Sequence, residues 1–171
     1  MKKILFLFTF LLMAPSLFCQ EIGFMGINIG MSRDEVLGYA DANELLHVPK
    51  NRDVEFFPVE ERKILALSIE PEVPHLYLQF HAETLYALTV IFDEHFIDYL
   101  TLAERIEEKY GPVQELTPRW RKWTVGEVEI KVEKPAVVKY IALKEFLEVT
   151  GFEREKEVSG SERRKVLLGG L

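Results

Sequence analysis

Cysteine is almost absent from this chain of 171 residues. Cys19 is the only one, and it stands at the end of an N-terminal segment that has the pattern of a secretory signal. Removal of that segment would leave a chain without any thiol. A disulfide bond, a thiolate nucleophile and a thiolate metal site would then all be excluded.

Long apolar runs are equally scarce. The clearest one, Ile4–Ala14, contains 11 uncharged residues, follows Lys2 and Lys3, and is ended by Pro15. It is too short to cross about 30 Å of hydrocarbon as a helix, but its length is typical of the apolar part of a signal peptide. We predict that residues 1–19 are a signal peptide, that the protein is exported to the periplasm, and that the mature chain has no transmembrane segment.

Two fates are open to Cys19. A lipoprotein signal is cut directly before a cysteine and usually carries small residues upstream, with leucine three positions before it. Here Phe18 precedes the cysteine and Ser16 stands in the leucine position. These residues favour ordinary cleavage between Cys19 and Gln20. The alternative is a lipid anchor on Cys19.

Basic residues are fewer than acidic ones. The chain has 21 Lys and Arg against 28 Asp and Glu, a formal net charge of −7. Loss of Lys2 and Lys3 with the signal peptide would make it −9. A nucleic-acid partner requires a basic surface, and attachment to anionic lipid requires a basic cluster. The composition therefore argues against both kinds of partner.

The length after removal of the signal fits one domain. A chain of about 150 residues buries about 70% of the surface that it exposes when unfolded, so it can be stable without disulfides. We predict a single domain over residues 20–152. Residues 153–171 are dense in charge and end in glycine and leucine, and we predict that they form a disordered tail.

Two main helices are predicted by capping and stop signals. Ser32 and Glu35 have the spacing of a capping box, which satisfies free N–H groups at a helix start. The Asp98–Gly111 segment has apolar residues at helical spacing, and Gly111–Pro112 stops it. Thr101 and Glu104 suggest a second capping box there. A short helix is expected at Lys144–Thr150.

Strands account for most of the remaining chain. Runs rich in β-branched and aromatic residues, separated by short turns, predict them. They are Val54–Val59, Lys63–Ile69, His75–His81, Leu85–Phe92, Arg119–Val125, Glu127–Glu133 and Ala136–Leu143. We expect the first two to pair, and Glu70–Pro74 to link them to the next hairpin. Leu85–Phe92 is apolar on both sides, which indicates a central strand. The whole predicts an α+β fold: antiparallel hairpins and a meander with the two main helices packed on one face.

A family resemblance follows from a few of these residues. A glycine-methionine-serine start to a capped helix, a Gly-Pro stop after another, and tryptophan in a following strand resemble small periplasmic proteins of the BamE/SmpA-like kind. The residues concerned are Gly30, Met31, Ser32, Val36, Tyr110, Gly111, Pro112 and Trp120 or Trp123. The Gly-x-Pro turn that ends the first helix of those proteins is absent after Ala40. The resemblance implies an α+β periplasmic interaction module.

Metal binding is not indicated by the four histidines, His47, His75, His81 and His95. His75 and His81 would be about 20 Å apart on one continuous strand, at about 3.3 Å per residue. Ligands of one ion need bonds of about 2 Å, so this pair could not share it. The Asp93–His95 cluster is better placed, but a solvated loop explains it. We predict neither a metal nor a cofactor.

Catalysis is not indicated either. The carboxylate pairs Glu60–Glu61 and Glu107–Glu108 are explained by a hairpin tip and a solvated helix face. No nucleophile elbow, phosphate loop or metalloprotease motif occurs. Ser32 is explained by its capping role. We predict that the protein is not an enzyme; a hydrolase using paired carboxylates is the weakest of the options.

Partner binding has candidate residues in two places. On an extended strand, Trp120 lies on one face while Arg121 and Trp123 lie on the other, and Trp and Arg are enriched at interface hot spots. The alternative is that at least one of the tryptophans closes the core. Phe56 and Phe57 suggest either an edge strand or part of an apolar groove.

Export and the missing catalytic motifs lead to two functional hypotheses. The first is a non-enzymatic periplasmic protein acting by protein–protein interaction, as an accessory subunit of a cell-envelope assembly. The second is a module that binds a small apolar or lipid-like ligand between sheet and helix, through residues such as Phe56, Phe57, Tyr77 and Phe92.

Overall fold

The computed structural model describes residues 21–48 and 62–151. The predicted signal peptide, the Val54–Val59 strand with Phe56 and Phe57, and the predicted tail lie outside these residues. The strands are β1 (Gly23–Phe24), β2 (Ile27–Asn28), β3 (Arg62–Ile69), β4 (Val73–His81), β5 (Thr84–Ile91), β6 (Glu115–Leu116), β7 (Trp120–Val125), β8 (Val128–Glu133) and β9 (Val137–Ala142). The helices are α1 (Arg33–Ala42), α2 (Tyr99–Tyr110) and α3 (residues 143–151).

The main sheet has seven antiparallel strands in the order β3-β4-β5-β9-β8-β7-β6. It consists of two meanders, which join where β5 pairs with β9. Strands β1 and β2 form a separate small hairpin. The predicted α+β class with an antiparallel sheet is therefore confirmed. The central position predicted for the apolar strand is also confirmed, because β5 has neighbours on both sides.

One strand connection differs from the prediction. Residues 70–72 of the segment expected to link two hairpins form the turn between β3 and β4. The pairing of these two strands begins next to the turn, at Ile69 and Val73. The β3 strand therefore pairs with β4, the strand that follows it in the sequence. The prolines at positions 71 and 74 suggested a longer connection, yet proline is tolerated in a turn and at the start of a strand.

The core lies between one face of this sheet and the two main helices. Alternate residues of β4, β5 and β8, such as Leu78, Leu88 and Ile130, have no exposed area. Ala103 of α2 and Val36 of α1 are equally buried and belong to the same cluster. Side chains on a strand alternate between faces, so both helices pack on one face of the sheet, as predicted.

Helix α1 begins as the sequence predicts. The backbone N–H of Glu35 donates to Ser32 Oγ over 3.3 Å, and the backbone N–H of Ser32 donates to Glu35 Oε2 over 2.8 Å. The second of these hydrogen bonds is the main reason that the pKa of Glu35 is lowered. Both halves of the capping box are therefore present.

Helix α2 begins three residues earlier than the predicted capping box. Its N-cap is Asp98, whose Oδ1 accepts hydrogen bonds from the backbone N–H groups of Leu100 (2.7 Å) and Thr101 (3.0 Å). The prediction of Thr101 as the cap is wrong, because Thr101 already lies inside the first turn. An earlier start places Tyr99 in the core-facing stripe together with Leu102. The predicted stop is confirmed: Gly111 is the C-cap, with a φ of 89°.

The opposite face of the sheet is only partly covered. Val149 of α3 packs in a smaller cluster with Tyr86 and Ala87. Ala87 and Leu88 are neighbours on β5, so their side chains point to opposite faces of the sheet. Because Val149 packs with Ala87, α3 lies on the face opposite the main core. The short helix predicted here is thus present. In the described part of the chain, no helix is long and apolar enough to cross a membrane.

Candidate functional site

The strand β7 separates the predicted binding residues onto two faces. Trp123 and Arg121 point towards α2, whereas Trp120 lies on the uncovered face. Trp123 has no exposed area, and its Nε1 donates a hydrogen bond to the carbonyl oxygen of Gly111 over 2.9 Å. A side chain without exposed area cannot contact a partner protein. Trp123 is therefore a core residue, which was the alternative for at least one tryptophan.

Trp120 is half-buried on the outer face, in a network of paired charges. Lys131 Nζ lies 4.8 Å from the centroid of its ring, within cation–π range. The same lysine pairs with Glu133 at 2.7 Å, and Lys139 pairs with the other oxygen of that carboxylate at 2.6 Å. Lys122 contacts Glu115 at 2.6 Å. The cations on this face therefore have carboxylate partners.

These pairs perturb the groups that form them. Desolvation by itself would raise the pKa of Glu133, but the hydrogen bonds from Lys131 and Lys139 outweigh it and lower the pKa. The hydrogen bond to Glu115 raises the pKa of Lys122. The charged side chains of the outer face therefore form ion pairs with one another, as is common on a strand face that contacts water.

Arg121 belongs to a different environment, an open groove on the α2 side of the sheet. The groove has a volume of about 1200 Å³. It is bounded by residues 94–95, the start of α2, and the turns at 117–119 and 134–135. Two hydrogen bonds hold these turns: Trp120 N–H donates to Thr117 Oγ1 (3.1 Å), and Lys134 N–H donates to the carbonyl of Arg119 (3.0 Å). The second bond brings Arg119 and Lys134 side by side.

Tyr99 forms part of the floor of the groove. Its side chain is largely buried, and two cations lie against its ring. Arg121 Cζ is 5.8 Å and Lys134 Nζ is 5.4 Å from the ring centroid. The negative face of an aromatic ring attracts a cation, so contact with Tyr99 favours both cations at the groove.

Within the described residues, these groove cations are less closely paired than the outer-face lysines. The nearest carboxylate to Arg121 is that of Glu107, 3.9 Å from Nη1, which is longer than a hydrogen bond. The Nε of Arg121 is buried and makes no hydrogen bond within the described residues. In the same part of the chain, Arg119 and Lys134 make no ion pair within 4.0 Å.

Two acids also line the groove. The carboxylate of Asp98 is engaged in the N-cap of α2: its Oδ2 accepts from Thr101 Oγ1 over 3.2 Å, in addition to the backbone bonds at Oδ1. The backbone N–H of Thr101 contributes most to the lowering of the Asp98 pKa. Glu94 is exposed in the loop before α2. The groove thus has a basic side and a smaller acidic side.

Large apolar side chains at the groove are exposed. Leu100 is 56% exposed and Leu116 is 65% exposed, and both line it. Phe96, in the loop just before α2, is 61% exposed. Exposed apolar side chains that line one groove, as Leu100 and Leu116 do, are a feature of interaction surfaces.

The comparison with known proteins places the whole site in one family. A model of the TP0088 domain matches residues 22–151. The chain belongs to the TP0088 domain family. No curated protein and no solved structure matches it.

The groove lies entirely within the TP0088 domain, since its lining runs from Glu94 to Pro135. It is assembled from three segments, residues 94–100, 116–121 and 134–135, and of the predicted partner-binding residues only Arg121 lies in it. The alternation along β7 correctly placed Arg121 and Trp120 on opposite faces of the strand. Nothing in the sequence indicated that the turns carrying Arg119 and Lys134 would meet at the start of α2.

Of the other candidates in the TP0088 domain, Glu94 and His95 of the Asp93–His95 cluster line the groove, and the remaining described ones do not. His75 stacks on Tyr77, with ring centroids 5.7 Å apart. Glu108 pairs with Arg105 at 2.9 Å. Among the described residues, no group of three or more His, Asp, Glu or Cys side chains could hold a metal ion.

Proposed function

We propose that the protein is an exported, non-enzymatic protein that acts by protein–protein interaction, as an accessory subunit of a cell-envelope assembly. We further propose that the groove beside Arg121 is its docking site. The observation that carries this proposal is the combination, in one groove, of exposed Leu100 and Leu116 with three cations: Arg119 and Lys134, which make no ion pair in the described part of the chain, and Arg121, whose contact with Glu107 is 3.9 Å long.

The apolar side chains support a protein partner. Leu100 and Leu116 leave more than half of their surface in water, although burial of apolar surface is favourable by about 25 cal/mol per Å². A partner that covers both would gain this energy. Arginine and tyrosine, the residue types at the floor, are among those enriched where interfaces are strongest.

The N-terminal pattern and the family resemblance support the place of action. A cationic start, an apolar run and Pro15 predict export. The resemblance to BamE/SmpA-like proteins, through the Ser32 cap and the Gly111–Pro112 stop, implies an interaction module in the envelope. We propose the periplasm as the location, with anchoring through Cys19 as the alternative.

The alternative function, binding of a lipid-like ligand between sheet and helix, has no contact in its favour among the described residues. Tyr77 lies on the outer face, whereas Phe92 packs edge-to-face against Phe24 at 5.6 Å beside the main core. The two residues are therefore on opposite sides of the sheet. Phe56 and Phe57 lie outside the described residues.

Site-specific photo-crosslinking in living cells tests the proposal. A photoreactive amino acid replaces Leu100 or Leu116 in one set of strains and Leu45 in a control strain. Leu45 is 58% exposed and lies beyond α1, away from the groove. We expect one envelope protein, identified by mass spectrometry, to crosslink from both groove positions and not from Leu45. Crosslinks that are equally strong from Leu45, or absent from both groove positions, would contradict the proposal.

A further inference from the structure

We propose that the groove binds an acidic, apolar segment of a partner polypeptide. One carboxylate of this segment would be bound by Arg121 and Lys134, beside the ring of Tyr99. A neighbouring apolar side chain would contact Leu100 and Leu116. This inference rests on the proposed function and names the chemistry of the partner.

The first argument is the distribution of charge pairs. The chain carries seven more acidic than basic residues, so carboxylates are abundant. On the outer face they pair with Lys122, Lys131 and Lys139. On the groove side, Arg119 and Lys134 make no ion pair in the described part of the chain, and the nearest carboxylate to Arg121 is 3.9 Å away. The groove therefore retains a local positive charge on an acidic protein.

The second argument is the arrangement of Arg121 and Lys134. Both cations lie within 6 Å of the centroid of the Tyr99 ring, so a carboxylate that reaches this part of the groove is attracted by both. The Arg121 guanidinium is largely shielded, with 22% of its side chain exposed, and no hydrogen bond within the described fold uses it. Its planar fork matches a carboxylate, which it can bind through two parallel hydrogen bonds.

The third argument distinguishes a polypeptide from a simple anion. Phosphate or another small anion would leave Leu100 and Leu116 uncovered. Glu94 and Asp98 on the acidic side would repel a ligand that carries many negative charges. In a segment with a single acid beside an aliphatic or aromatic residue, the acid would pair with the cations and the apolar residue would cover Leu100 and Leu116.

Fluorescence anisotropy with three labelled peptides tests the inference on the mature chain. The first alternates leucine and glutamate, the second alternates leucine and glutamine, and the third alternates serine and glutamate. We expect the leucine–glutamate peptide to bind about tenfold more tightly than either of the others. We also expect its affinity to fall when salt is raised, because the charges at the edge of the groove are screened.

Matched variants assign the effect to the groove. Arg121→Gln and Lys134→Gln are each expected to remove most of the advantage of glutamate over glutamine. Lys122→Gln and Lys139→Gln, which change paired cations of the outer face, are expected to leave it unchanged. Lys134 is exposed in a turn, so its variant keeps the test valid if Arg121→Gln unfolds the protein.

Several outcomes would overturn the inference. Equal binding of the glutamine peptide would show that the carboxylate is not recognised. Full displacement of the leucine–glutamate peptide by millimolar inorganic phosphate would indicate a small-anion site. Absence of binding by all three peptides would also overturn it. If crosslinks from Leu100 and Leu116 persisted in any of these cases, the docking function would stand while this partner chemistry failed.

Discussion

The indole Nε1 of Trp123 donates a hydrogen bond of 2.9 Å to the carbonyl oxygen of Gly111, the residue that ends α2. This bond joins the centre of β7 to the C-terminus of the helix that packs on it. Last-turn carbonyls of a helix have no partner within the helix, so a buried indole N–H is well matched to one of them. The contact holds α2 above the sheet and thereby maintains one wall of the groove at the other end of the helix.

Replacement of Trp123 by phenylalanine should destabilise the fold. The change removes the hydrogen bond to Gly111 and leaves a gap in a fully buried site. We expect the free energy of unfolding to fall by about 2–4 kcal/mol, measured by urea denaturation. Trp120→Phe is the control, because Trp120 is half-buried on the outer face, and its loss should be much smaller. Equal losses would contradict the assignment of Trp123 to the core.

The two helix starts should respond differently to removal of a side chain. Ser32→Ala should lower the free energy of unfolding by about 1 kcal/mol, because it removes the capping acceptor of α1. For α2, Asp98→Ala should lower the urea midpoint clearly more than Thr101→Ala, since Asp98 accepts both backbone hydrogen bonds. A larger effect at Thr101 would contradict the assignment of Asp98 as the N-cap and support Thr101, which the sequence suggested.

Stability should decrease in acid. The pKa of Glu35 is lowered from its ordinary 4.5 by the Ser32 N–H, and that of Asp98 is lowered from 3.8 by the Thr101 N–H. A carboxylate with a lowered pKa in the folded state stabilises the fold above its ordinary pKa. That contribution is lost as the pH falls through the lowered value. We therefore expect the urea midpoint to fall between about pH 5 and about pH 3.

Substitution of the capping carboxylates should reduce this pH dependence. The double variant with Glu35→Gln and Asp98→Asn removes two of the titrating groups, and asparagine remains a good N-cap. Part of the dependence should persist through Glu133, whose pKa is also lowered. Glu104→Gln on the exposed side of α2 is the control and should leave the pH profile unchanged. An unaltered profile in the double variant would contradict the prediction.

The hydroxyl of Tyr110 should be dispensable. It is buried and makes no hydrogen bond with the described residues. Removing a buried polar group that has no partner costs nothing and can be favourable. We expect Tyr110→Phe to leave the free energy of unfolding unchanged or to raise it. Tyr86→Phe is the matched control: its hydroxyl donates to Gln79 Oε1 over 3.0 Å, so we expect a loss of about 1 kcal/mol.

Local patterns in the sequence predicted the helices, the longer strands of the main sheet and the fold class, but not the two-residue strands β1, β2 and β6. The capping box of Ser32 and Glu35, the alternation of Val128, Ile130 and Val132, and the stop at Gly111 all act within a few residues. Their physical basis is short-range: free helix N–H groups, the period of a strand and the left-handed conformation open to glycine. The error at Thr101 is also local, because two acceptors three residues apart compete to cap one helix.

The site depended on contacts between distant parts of the chain. The alternation of β7 showed that Trp123 and Arg121 share a face, but only the packing of α2 decided that this face contains the core at Trp123 and a groove at Arg121. Likewise, Lys134 approaches Tyr99 because the β8–β9 turn ends beside the first turn of α2. Strand period and helix capping are properties of neighbouring residues, and the sequence alone determined them. Which face of the sheet is covered, and where the covering stops, depends on the packing of separate elements, and only the tertiary structure decided it.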